Sequence, residues 1–147
     1  MTAVRFYLVR HAKAEAKGPA DDAFRRLSPE GRERFAAHAR NVASRLALSR
    51  IATSPLVRAR ETADLLAAAT GAPVAEEDAL SSGASSAREI LALGRRLGAG
   101  AALVGHNPEV QEAVALAAGR DVDAKTGAIA AIDSDERGYR LAWLEAP

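Results

Sequence analysis

Three short apolar runs, each giving way to polar residues that lead towards a helix, constrain this chain more than any other feature. Val4–Val9, Arg50–Thr53 and Ala101–Gly105 are too short for buried helices and, apart from Arg5 and Arg50, too apolar for loops. Strands covered on both faces read this way. Between them lie segments with apolar residues at helical spacing, so strands and helices alternate. That alternation predicts an α/β fold, a three-layer α/β/α sandwich with a mostly parallel central sheet. In such sheets the carboxyl ends of the parallel strands line one edge, and ligands gather there.

The helices carry their own start and stop signals. Ser28-Pro29 reads as an N-cap and first helical position, followed by the stripe Phe35, Ala39, Val42 and Leu46 with Arg32, Arg40 and Arg45 between. Ser54-Pro55 repeats the signal for a helix running to about Ala69, before Gly71-Ala72-Pro73. Further helices are expected over roughly Ser86–Leu97 and after His106-Asn107-Pro108, the latter with Val110, Val114 and Ala117 on one face. Ala12–Leu27 and Ala79–Ala84 read as loops. Ala128–Ile132, a polar turn Asp133–Gly138 and Tyr139–Leu144 predict a C-terminal antiparallel hairpin. With 147 residues, no repeat and no linker, residues 1–147 form one domain.

Composition removes several function classes. Lys+Arg 20 against Asp+Glu 19 leaves a net charge of +1 without a basic block, so no nucleic-acid partner is expected. The absence of cysteine excludes disulfides, thiolate metal sites and cysteine nucleophiles. The three histidines lack metal-site spacing, and Asp121, Asp123, Asp133 and Asp135 lack that of a metal loop, so neither metal nor cofactor is expected. No apolar stretch approaches the ~20 residues a membrane span needs, and no signal-peptide core precedes the first strand. The expectation is a soluble, cytoplasmic, monomeric protein with no membrane partner.

The three strand ends present Arg10-His11, then Ser54-Pro55-Leu56-Val57-Arg58, then Gly105-His106-Asn107-Pro108. If the strands run parallel, two arginines, two histidines and two helix N-termini converge. Helix N-termini offer free N–H groups and a positive dipole end, and guanidinium forks match phosphate. A phosphoryl group spreads negative charge over its equatorial oxygens in the transition state, which Arg10 and Arg58 can clamp. One imidazole can attack phosphorus, and the other can donate to a non-bridging oxygen, best as a cation. The combination points to phosphoryl chemistry.

Tyr7-Leu8-Val9-Arg10-His11-Ala12-Lys13, Ser54-Pro55-Leu56-Val57-Arg58-Ala59-Arg60-Glu61-Thr62-Ala63 and Val104-Gly105-His106-Asn107-Pro108 resemble the signature blocks of the histidine phosphatase superfamily, which includes the phosphoglycerate mutases. Length and the ending Thr126-Gly127-Ala128-Ile129-Ala130 are similar to its compact SixA-type phosphohistidine phosphatase branch. The resemblance implies a phosphoglycerate mutase-like fold and a metal-independent phosphatase, with His11 as the nucleophile that becomes a covalent phosphohistidine. It implies that Arg10, Arg58 and His106 bind the transferring phosphate, with Asn107 helping through its amide or as a helix cap. Ala12 stands where many relatives have Gly. Where longer relatives carry a Glu general acid two residues after a leucine, this chain aligns Leu80 and hence Ser82.

A serine hydroxyl is too weak an acid to protonate an alkoxide, whereas imidazole leaves readily. The expected substrate is therefore phosphohistidine on a protein, unless Glu15, Glu76, Glu77 or Asp78 reaches the site. A small-molecule phosphomonoesterase acting on a small phosphorylated substrate, and a non-catalytic phosphoprotein-binding module, are the alternatives. The plain readings are a surface Arg58 paired to Glu61 or Glu30, a boundary His38, a capping Ser28, core-edge Trp143, Tyr7 and Tyr139, and a strand-start Thr126. Lys13, Glu15 and Lys17 read as a solvated loop. Arg25 and Arg26 are left either over the pocket mouth or on the surface.

Overall fold

The computed structural model describes residues 3–19 and 21–147. The expected strands form β1 (Val4–Arg10), β2 (Arg50–Thr53), β4 (Ala101–Gly105), β5 (Ile129–Asp135) and β6 (Gly138–Glu145), joined by a three-residue β3 (Val74–Glu76). The helices are α1 (Pro29–Val42), α2 (Val57–Thr70), α3 (Ala87–Leu97) and α4 (Glu109–Ala118). One six-stranded sheet has the order β3-β2-β4-β1-β5-β6. β3, β2, β4 and β1 are mutually parallel, while β5 and β6 add antiparallel at the β1 side. The mixed α/β architecture with its antiparallel hairpin is the one the alternation predicted.

β1 explains why the layers form. Its side chains alternate, so Tyr7 and Val9 enter one core with Phe35, Ala39 and Leu66 of α1 and α2. Phe6 and Leu8 enter the other with Leu91 and Val114 of α3 and α4. Phe6 and Val9 are fully buried, and burying a side chain of that size stabilises the fold by about 2 kcal/mol. β4 divides the same way, with Val104 on one face and Leu103 on the other.

Three local expectations are revised. β3 went unread because Val-Ala-Glu is too short for periodicity, yet its backbone pairs with Ile51–Thr53 at the sheet edge. The hairpin turn tightens to Glu136-Arg137. Asp133 stays in the strand because Arg5 Nε donates to its Oδ1 at 2.8 Å across the β1–β5 pair. Asp135 stays because it accepts from Arg140 Nη1 at 2.8 Å. Finally, α2 begins at Val57, because Leu56 is extended (ψ 140°) and serves as N-cap without a side-chain bond. Ser54 is therefore not its cap, and its hydroxyl is free for another use.

Elsewhere the signals act as read. Ser28 Oγ accepts from Gly31 N at 2.9 Å, with Pro29 opening α1. Gly31 is obligatory there, since a Cβ would collide with the Lys13 carbonyl oxygen. Ser86 and Glu89 close a reciprocal capping box on α3. Leu46 lies just past α1, beyond a 3₁₀ turn over Ala43–Arg45, but remains buried.

Candidate active site

The sheet order brings the three junctions together. β4 lies between β2 and β1, so the residue after its end is flanked by the residues after theirs. Two backbone bonds extend the ladders past the strands: His11 N donates to Gly105 O at 3.0 Å, and Ser54 N to Val104 O at 2.9 Å. His106 thus sits between Ser54 and His11, and the two imidazole rings are 5.2 Å apart between centroids, tilted 57°. All three residues are buried.

The end of β1 is held from two further directions. Gly127, in the left-handed region (φ 77°), points its N–H at the carbonyls of Arg10 (3.1 Å) and His11 (3.0 Å). Thr62 of α2 accepts from Ala12 N at 2.9 Å and donates to Arg58 O at 2.8 Å. One threonine therefore ties the backbone beside His11 to that of Arg58.

His11 Nδ1 lies 2.7 Å from the Ala12 carbonyl. A carbonyl only accepts, so Nδ1 carries the hydrogen and the lone pair resides on Nε2. Burial, opposed by that bond and reinforced by the charges of Arg58, Arg10 and Arg25, pushes the His11 pKa down to about 4. His106 Nε2 lies 2.7 Å from Ser54 Oγ, which also accepts from Leu56 N at 3.2 Å. Burial, then neighbouring His11 and Arg58, takes its pKa to about 3. His106 is therefore neutral at pH 7, not the cation the sequence argument favoured. Burial first, and then the convergence of positive charge that suits phosphate, expels the proton.

Arg58 is buried, against the surface reading. Its Nη1 donates to Asp22 O at 2.9 Å, and its Nη2 meets Asp22 Oδ2 at 3.1 Å. Glu61 instead accepts from Leu27 N and pairs with Arg32 and Arg26. Arg10 Nη1 donates to Ala124 O at 3.0 Å. Asn107 donates to the same carbonyl at 3.0 Å and accepts from Gln111 N at 3.1 Å, so its amide is engaged in holding the start of α4. With Val110 N bound to His106 O as well, early N–H groups of α4 already have acceptors.

The unpartnered groups are side chains instead. Among the described residues, the buried side-chain polar atoms without a hydrogen-bond partner are Arg10 Nε, Arg25 Nε, Arg58 Nε, His106 Nδ1 and Asp22 Oδ1. Buried polar atoms are ordinarily satisfied. Four of the five are nitrogens of the site and the loop beside it, and they mark the place where an acceptor-rich ligand fits. No group of histidine, aspartate and glutamate suited to a metal ion occurs among the described residues.

Other sequence candidates lie elsewhere. Lys13 pairs with Glu30 at 3.6 Å and, with Thr126, Lys125 and Arg34, lines a neighbouring cleft. His38 is buried with Nε2 3.2 Å from the Glu145 carbonyl. Glu76 pairs with Arg60, and Glu77 caps the turn at Ala79. Ser82 is exposed beside Gly83, whose N–H donates to Glu109. Arg26 is exposed, whereas Arg25 turns inward. Sequence reasoning missed Ser54 as the partner of His106, Thr62 as a clamp, and Asp22. Ser54 and Thr62 stand within a recognisable block, whereas Asp22 lies in a charged loop with no motif of its own.

The family model of the histidine phosphatase superfamily (branch 1) matches residues 6–83, just over half of the chain. The fold resembles a protein assigned as the phosphohistidine phosphatase SixA of Agrobacterium tumefaciens, with a TM-score of 0.86, 27% identity and 98% of each chain covered. It also resembles the protein histidine phosphatase SixA complexed with tungstate, with a TM-score of 0.85, 22% identity, and 98% of this chain and 97% of that chain covered. More distant is a phosphoserine phosphatase from Entamoeba histolytica in complex with 3-phosphoglyceric acid, with a TM-score of 0.72, 14% identity and 98% of each chain covered. No curated protein matches. The chain belongs to the histidine phosphatase superfamily.

Proposed function

We propose that this member of the histidine phosphatase superfamily is a metal-independent phosphatase that works through a covalent phosphohistidine on His11, with phosphohistidine on a protein as its substrate. The supporting observation is the cluster of buried, unpartnered nitrogens around a neutral imidazole. Arg10 and Arg58 bind the phosphoryl oxygens. With the Ser54 hydroxyl donating to Nε2, His106 carries its proton on Nδ1 and donates it to a third oxygen. Asn107, already bonded on both sides, acts by holding the start of α4.

In the first step His11 Nε2 attacks phosphorus as the substrate P–N bond breaks. The substrate ring, protonated on its other nitrogen, keeps the bonding electron pair and leaves as neutral imidazole. In the second, water attacks the phosphorus, the bond to His11 Nε2 breaks, and orthophosphate leaves. Neither step uses a metal. The pre-formed donors stabilise the spread charge without reorganising, which is where most of the catalytic effect arises.

The preference for a P–N bond rests on the leaving-group side. Glu15, Asp78 and Ser82 are exposed, Glu76 and Glu77 are engaged elsewhere, and Asp22 is committed to Arg58. An imidazole leaves without a strong acid, and an alkoxide does not. Phosphate release from a phosphohistidine-bearing protein, measured beside a simple alkyl phosphate, tests the choice. The proposal predicts fast release from the first and slow release from the second, and equal rates would contradict it. Saturable binding with no release from either substrate would instead identify a binding module.

A further inference from the structure

We propose that Arg25 is a third phosphoryl-binding guanidinium, brought into the site by the turn Asp22–Phe24 and held in place by Asp22. The proposal rests on the functional reading above. Three observations carry it.

First, adjacent arginines on one loop are treated differently. The Arg25 side chain is 28% exposed, while that of Arg26 is 71% exposed and pairs with Glu61. Second, Arg25 Nε is buried without a hydrogen bond: it lies 3.2 Å from Asp22 Oδ1 without bonding alignment, and Nη1 reaches only the Glu15 carbonyl, at 3.3 Å. Third, its charge is close enough to His11, His106 and Arg58 to weaken proton binding at all three.

A buried-edge guanidinium beside two others is costly unless anions compensate it. Asp22 is paired with both Arg58 and Arg25, and the charge of Asp123 also acts on Arg10, so two carboxylates face three guanidiniums. A net positive charge remains over two neutral imidazoles. A phosphoryl anion answers that excess, and its oxygens supply the acceptor that Arg25 Nε lacks. Asp22 is then a positioning residue, its backbone carbonyl and carboxylate fixing Arg58 while its other oxygen faces Arg25.

Vanadate and inorganic phosphate are the probes, with binding to the full chain followed by calorimetry, and KM and kcat followed on a phosphohistidine-bearing protein. Arg25→Gln, which keeps the bulk of the side chain, should weaken oxyanion binding roughly 10- to 100-fold, the worth of a charge-assisted hydrogen bond. Arg25→Lys should recover part of that loss, and Arg26→Ala should change nothing. If Arg25→Gln is too unstable to assay, Arg25→Lys alone decides, with a loss of several-fold expected from its missing fork. Oxyanion affinity and KM unchanged in both variants, while Arg58→Ala abolishes binding, would overturn the role of Arg25 alone. Binding insensitive to Arg58→Ala would overturn the functional reading as well.

Discussion

Lowering the pH should unfold this protein through its two site histidines, and the loss can be worked from their environment. Folding takes the pKa of His11 from 6.5 to about 4 and that of His106 to about 3. A group whose pKa is lower in the folded state binds more protons when unfolded, so stability rises with pH across that window. The two histidines therefore contribute full stability above about pH 6.5 and lose it as pH falls towards 4. By pH 4.5 each neutral imidazole forgoes about 2 pH units of protonation, or ~2.7 kcal/mol at 1.36 kcal/mol per unit. Together they account for about 5 kcal/mol, comparable with the whole stability of many domains. Urea unfolding of wild type and of His11→Gln/His106→Gln between pH 7 and 4.5 isolates this contribution, since His38 and the carboxylates titrate in both. Wild type should lose about 5 kcal/mol more than the double variant across the window. Parallel stability curves, within 1 kcal/mol, would refute the reasoning.

Three further outcomes follow from single contacts. Ser54→Ala removes the partner of His106 Nε2 and should lower kcat by about 10-fold, the worth of one buried hydrogen bond, with KM little changed in steady-state assays. Gly31→Ala drives a methyl group into the Lys13 carbonyl and should cost about 1–3 kcal/mol in urea unfolding. Phe24 is 68% exposed on the turn that carries Asp22 into the site. Phe24→Ala should lower kcat/KM for a phosphorylated protein several-fold while leaving a small phosphoramidate unaffected, as for an aromatic contact at a protein interface.

What the sequence disclosed and what it withheld divide along a physical line. Short apolar runs and capping residues are local signals, so β1, β4, α1 and α3 were legible. The convergence of Arg10, His11, Arg58 and His106 was legible too, because parallel strands place their carboxyl ends on one edge. β3 lacked the length to show a period. Asp133 looked like a turn residue because its reason to remain in a strand is Arg5, far away in sequence. Ser54 looked like a helix cap because Ser-Pro usually is one; only the β2–β4 register shows that its hydroxyl faces His106. Asp22 was silent, and Arg25 stayed open between pocket mouth and surface, for the same reason: a charged loop reads as solvated until its tertiary partners are known.

The central claim is that phosphate passes through His11, and trapping it there tests that directly. Wild type mixed with radiolabelled phosphohistidine protein and quenched in alkali within milliseconds should carry transient label that is stable to base, lost in acid, and mapped to the peptide containing His11. His11→Ala should carry none and release no phosphate. Phosphate release by wild type with no label on the chain, or undiminished release by His11→Ala, would contradict the account.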